Sequence, residues 1–156
     1  MAMRHAGGDV VMELDFTIKL DDNTDGVKKV EKDAVKRSLF AMGVKAVEGS
    51  VDAISGIFGM DLQAVDTGRL RASISFITPD GKGAKISPNS AASKPGDEIS
   101  GNSDENSVIV GSNVEYAEYV HNGTVKMGAR PFIRTGIDKT RDDMKRQVDK
   151  IFRGEL

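Results

Sequence analysis

The chain contains no cysteine and no tryptophan, and only two histidines and 5% aromatic residues among its 156 positions. Without cysteine there is no disulfide framework, thiolate zinc site, iron–sulfur cluster or cysteine nucleophile. With histidine confined to His5 and His121, a metal or acid–base centre has to be built almost wholly from carboxylates. Charge of one sign is lacking too. Lys and Arg number 22 against 24 Asp and Glu, a net of −2, whereas a general nucleic-acid binder carries a clear basic excess. No run approaches the ~20 apolar residues that span a bilayer. The first residues, Met1 to Val11, include an arginine but no hydrophobic stretch of signal-peptide length, so a soluble, non-secreted protein is expected. In that setting the sequon Asn122-Gly123-Thr124 reads as a turn.

What is present organises the chain. Val10 to Leu20 alternates apolar and polar residues, the period of a half-buried strand. The Asp21–Gly26 segment breaks it, and Thr24 or Asp25 can cap a helix beginning there. From about Val27 to Phe58, the spacing of Phe40, Val44, Val47, Val51, Ile54 and Phe58 predicts a long amphipathic helix. Gly43, Gly49 and Gly56 each weaken that helix by roughly 1 kcal/mol relative to Ala. Their concentration points either to close backbone packing against a sheet or to a break, and the helix is expected to end near Gly56–Gly59. A second strand is read over Leu70–Thr78, closed by Pro79.

Pro79 to Asn106 is poor in large apolar residues, with only Ile86 and Ile99, and reads as a flexible loop between two neighbouring strands. Ser107–Ser112 is the next strand and Val114–Asn122 a short helix. That helix buries either Val114, Ala117 and Val120 or Tyr116 and Tyr119. A final helix over Ile133–Arg153 carries Ile133, Ile137, Met144, Val148, Ile151 and Phe152 as its apolar stripe. The expected fold is α+β: one domain over residues 1–156, in which a small, mainly antiparallel sheet packs against one long helix, with a short helix and a C-terminal helix.

Chemistry-bearing patterns are sparse. Asp21-x-Asn23-x-Asp25-Gly26 opens like a calcium loop, but its twelfth position is Lys32 and a strand precedes it. Asp80-Gly81-Lys82-Gly83 lacks the Ser or Thr and the helix of a phosphate loop. Glu115, Glu118 and His121 form the best carboxylate–histidine cluster, yet no further ligand set converges on it. No serine lies in a Gly-x-Ser-x-Gly context, so neither catalytic nor cofactor-binding residues are expected. Residues 1–25 carry two basic and six acidic side chains, and Phe132–Leu156 seven basic and five acidic, so the two ends differ in sign. That asymmetry weakly favours subunits meeting end to end.

Three segments, in order, carry a resemblance: Asp66-Thr67-Gly68-Arg69-Leu70-Arg71-Ala72-Ser73-Ile74, then Tyr116-Ala117-Glu118-Tyr119-Val120-His121-Asn122-Gly123-Thr124, then Arg130-Pro131-Phe132-Ile133. Together they resemble the small neck, or tail-completion, proteins of long-tailed bacteriophages and prophages, over roughly Val27 to Phe152. The corresponding family features are a TG-x-LR-x-S turn and strand, a Y-A-x-Y-V-x-x-GT helix and an RPF lead into the terminal helix. The resemblance implies a non-enzymatic virion protein without cofactors, assembled in the host cytoplasm as a ring, typically a hexamer. Its partners would be the head connector (adaptor or stopper) and the tail-tube or tail-terminator proteins, with DNA passing through unread. A minor tail or tail-terminator component is an alternative, and a nucleic-acid-binding accessory a more distant one. The residues carried over, as structural or subunit-contact positions, are Thr67, Gly68, Leu70, Arg71, Ser73, Tyr116, Ala117, Tyr119, Val120, Gly123, Thr124, Arg130, Pro131 and Phe132. The chain departs from the family in its 28-residue insert at 79–106 and in Ala64-Val65, where a proline is common.

Overall fold

A computed structural model describes residues 10–15, 25–59, 68–81 and 92–156. In chain order they form β1 (Val10–Asp15), α1 (Asp25–Ile54), α2 (Arg69–Ser73), β2 (Ser75–Ile77), β3 (Ser107–Ser112), α3 (Ala117–Asn122) and α4 (Phe132–Phe152). The strands make one antiparallel sheet in the order β1-β3-β2. Val10 pairs with Ser112 and Asp15 with Ser107, while Phe76 pairs with Val110. The architecture is the α+β arrangement expected from the alternating and helical periods. The segment from Pro79 to Asn106 does join two paired neighbours, β2 and β3. Residues 16–24, with most of the calcium-loop-like sequence, lie outside the described residues, as do 60–67 and 82–91.

The strand expected over Leu70–Thr78 is corrected in its first half. Gly68, at φ +66°, starts a helical turn in which the Ala72 amide donates to Gly68 O at 2.9 Å. The Ser73 hydroxyl then donates back to Leu70 O at 2.7 Å. A serine that satisfies its own turn competes with the sheet ladder, so extended pairing begins only at Ser75.

The long helix is present, but its buried side is turned by about a quarter turn from the expected stripe, at 100° per residue. Leu39, Met42, Ala46 and Ala53 are buried, whereas Phe40 is exposed and Val44, Val51 and Phe58 are only partly covered. Small residues explain the shift, because they admit neighbours that come unusually near. A Cβ on Gly43 would stand 2.2 Å from the Phe76 ring, and one on Gly49 would stand 2.5 Å from Gly136 O of α4. One on Gly136 would meet Ser50 N at 2.3 Å. The two helices, α1 and α4, therefore cross main chain against main chain, and Arg37, in the first half of α1, donates from Nη1 to Leu156 O beyond the end of α4 at 2.9 Å. The helix stops at Ile54, and Gly56 and Gly59, both at positive φ, occupy the turn beyond it.

The stripe of α4 is buried as expected, except for Phe152 at its end. Phe76, Val108, Val110, Ile133 and Ile137 join the α1 residues in one core. No helix among the described residues is long and apolar enough to cross a membrane.

Candidate functional site

The three sequence segments come together at the end of β3. Arg69, the first residue of α2, reaches two carboxylates from distant parts of the chain. Its Nε and Nη2 donate to Asp97 at 2.9 and 2.7 Å, and its Nη1 and Nη2 donate to Glu115 at 2.8 and 3.0 Å. Paired contacts of this kind fix orientation as well as charge. Asp97 is 3% exposed and also accepts the Lys94 amide at 2.8 Å. Hydrogen bonding to Arg69 holds both the Asp97 and the Glu115 carboxyl below their ordinary ranges, and the same contacts raise the guanidinium. Asn113 completes the tie: its amide donates to Asp97 O and its side chain to Gly96 O, each at 2.8 Å. The later part of the insert is thus fastened to α2 and to the β3–α3 connection.

Beneath this network the buried hydroxyls of Ser73 and Ser112 lie 2.6 Å apart, and Ser112 Oγ accepts the Val114 amide at 3.2 Å. Val114, Ala117 and Val120 face the core, which resolves the choice left open for α3. Tyr116 packs partly against the core, whereas Tyr119 is 59% exposed.

The second segment is joined to the third by the Arg130 amide, which donates to Val120 O at 2.9 Å. Gly123, at φ +78°, passes so near Ala129 that an added Cβ would meet its amide nitrogen at 2.6 Å. Thr124 and Met127 then bridge in both directions, at 2.7 and 3.2 Å, so that residues 124–127 form a closed turn. Pro131 precedes the first residue of α4 at φ −75°, where a fixed φ and a missing N–H cost nothing. Its carbonyl accepts the Thr135 amide at 2.9 Å. Phe132 is fully buried and stands edge-on to the His121 ring, centroids 5.2 Å apart.

His121 is therefore a core residue and not part of a solvated helix face. Burial pushes its pKa down to about 4, and the Arg134 charge acts in the same direction. Its Nδ1 and the Nη1 of Arg130 are buried without a hydrogen-bond partner among the described residues. No group of three His, Asp or Glu among the described residues is placed to hold a metal ion.

Of the carried-over positions, Leu70, Ser73, Ala117, Val120 and Phe132 are buried, and Gly68, Gly123 and Pro131 shape turns or helix starts. Arg71, Tyr119 and Thr124 point to solvent. Thr67 lies outside the described residues. Sequence reasoning missed the Arg69–Asp97–Glu115 network and Ser112. The one signal for it was the Lys94-Pro95-Gly96-Asp97 turn chemistry inside an otherwise featureless insert. Comparison with known proteins gives no match: neither a family model, nor a curated protein, nor a solved structure is significantly similar to the chain.

Proposed function

We propose that this chain is a structural component of a phage neck, a tail-completion protein that assembles as a ring between the head connector and the tail tube. The observation that carries this reading is the ordered set of three family-like segments, which meet in space as one unit. Arg69 of the first segment bonds Glu115 beside the second, and the Arg130 amide of the third bonds Val120 O of the second. Residues this far apart in sequence are tied into one rigid corner, while Arg71 and Tyr119 stand outside it as side chains the subunit does not use for its own core. An exposed tyrosine beside a rigid turn suits an intersubunit contact. Light scattering on the chain alone, and mixed with head-connector and tail-tube proteins, tests the proposal. Ring-sized species or stoichiometric co-assembly is the expected result. A strict monomer that joins neither partner refutes it.

A further inference from the structure

The closed turn after α3 presents an apolar and a basic side chain, and a groove at the other end of the molecule is lined by apolar residues and by more acids than lysines. At the turn's tip Val125 is fully exposed, and the ammonium of Lys126 has no partner among the described residues. The Thr124–Met127 bridge and the tight passage at Gly123 hold this tip in one conformation, so seating it costs little ordering entropy.

The groove, of about 600 Å³, lies between the first half of α1 and the residues that leave β2 and approach β3. Val35 and Pro79, both half-buried, give it apolar surface, with Leu39 buried behind them. Asp80, whose carboxylate accepts the Thr78 hydroxyl at 2.7 Å, and Glu105 line the loop side. Glu31, Lys32 and Lys36 line the α1 side, so three acids face two lysines around the groove. Glu105 is exposed and has no ion-pair partner among the described residues.

The groove sits at the start of β3 and the tip beyond its end. The six residues of β3 alone separate the two features by roughly 20 Å. A subunit cannot fill its own groove, and a contact between two such different patches is head-to-tail, the kind that makes a ring where the rotation between copies closes and a filament where it does not.

We propose that Val125 and Lys126 of one copy seat in this groove of the next, Val125 on the half-buried Val35 and Pro79, and Lys126 against Glu105. This deepens the ring reading and rests on it. So small a contact sets register and direction and leaves most of the affinity to the remaining interface.

Sedimentation of the full chain over a wide concentration range is the first measurement. Val125→Asp or Lys126→Glu weakens self-association by about tenfold, and adding Glu105→Lys to Lys126→Glu restores most of it. The cysteine-free chain permits a second measurement. A Val125→Cys/Lys36→Cys double variant, oxidised, gives a ladder of linked species, whereas an equal mixture of the two single variants stops at dimers. Wild-type self-association that is indifferent to these substitutions, with no ladder, overturns the tip-in-groove contact and leaves the ring reading standing. A wild type that never self-associates removes both.

Discussion

Substituting Gly136 by alanine sets two physical effects of opposite sign against each other. In an exposed helix interior the change stabilises by about 1 kcal/mol, because alanine loses less backbone freedom on folding. At this position the new Cβ meets Ser50 N at 2.3 Å, Gly49 C at 2.4 Å and Ser50 Cα at 2.5 Å, all of them main chain, so no rotamer change relieves the contact. Ordinary van der Waals separation begins near 3.4 Å, so the helices must part by about 1 Å. Overpacking of this kind costs about 1–3 kcal/mol, and more where backbone must move. The net expectation for Gly136→Ala is a loss of up to about 2 kcal/mol, which is up to about 8 °C in Tm for a chain of this size. Gly136→Val loses more. Gly128→Ala is the control, since nothing lies within 4 Å of its Cβ and its φ is unstrained. Thermal melts followed by circular dichroism, with urea midpoints at constant m, read the difference. A Gly136→Ala variant that melts above the wild type would mean that propensity wins and that the backbones do not touch.

Three further outcomes concern the core and the corner at the end of β3. His121, neutral when folded with a pKa near 4 against an ordinary 6.5, makes the unfolded chain the better proton binder between those values. Stability is therefore complete above pH 6.5 and falls as pH drops towards 4, by up to about 1.4 kcal/mol per unit. His121→Leu flattens that slope, and an unchanged slope in urea titrations from pH 7 to 4 rejects the assignment. Asp97 and Glu115 add a loss at the acid end, beginning near their ordinary values of 3.8 and 4.5 and continuing down to their lowered pKa values, so the His121 slope is the one read above pH 5. Arg69→Gln frees the 94–97 turn, seen as faster amide exchange at Asp97 and Asn113, with exchange across the α1–α4 crossing unchanged. Ser73→Ala strips Ser112 of its hydroxyl partner and costs about 1–2 kcal/mol by urea unfolding. A neutral result there would show that the serine pair is not sealed from water.

Legibility in the sequence tracked the range of the forces involved. α4 buries one stripe against a broad apolar neighbour, so a period of about 3.6 reports it directly, while β3, buried at all but Ile109, reads as a short apolar run. The buried face of α1 showed only in part: Val47 and Ile54 of the expected stripe are in the core, but the centre of the face lies on the small residues, because its closest neighbour is another helix's backbone. Glycine, serine and alanine mark such a contact, and a scale of apolarity passes over them. The split of Leu70–Thr78 into helix and strand turned on one hydroxyl choosing a carbonyl three residues back. In the corner itself, the turns at Gly68, Gly123 and Pro131 were readable from local chemistry. The Arg69 network was not, since its partners stand 28 and 46 positions away and neither carboxylate sits in a patterned stretch.

The meeting of Gly49 and Gly136 also acts as a stop. Main chain cannot be compressed, so the crossing sets a hard lower limit on how near α4 comes to α1. The arms on either side of it are unequal: at 1.5 Å per residue, roughly 6 Å of helix lies between Gly136 and Phe132, and roughly 24 Å between Gly136 and Phe152. The long arm carries Ile137, Met144, Val148 and Ile151 into the core, so the register of two glycines decides the depth at which each of them sits.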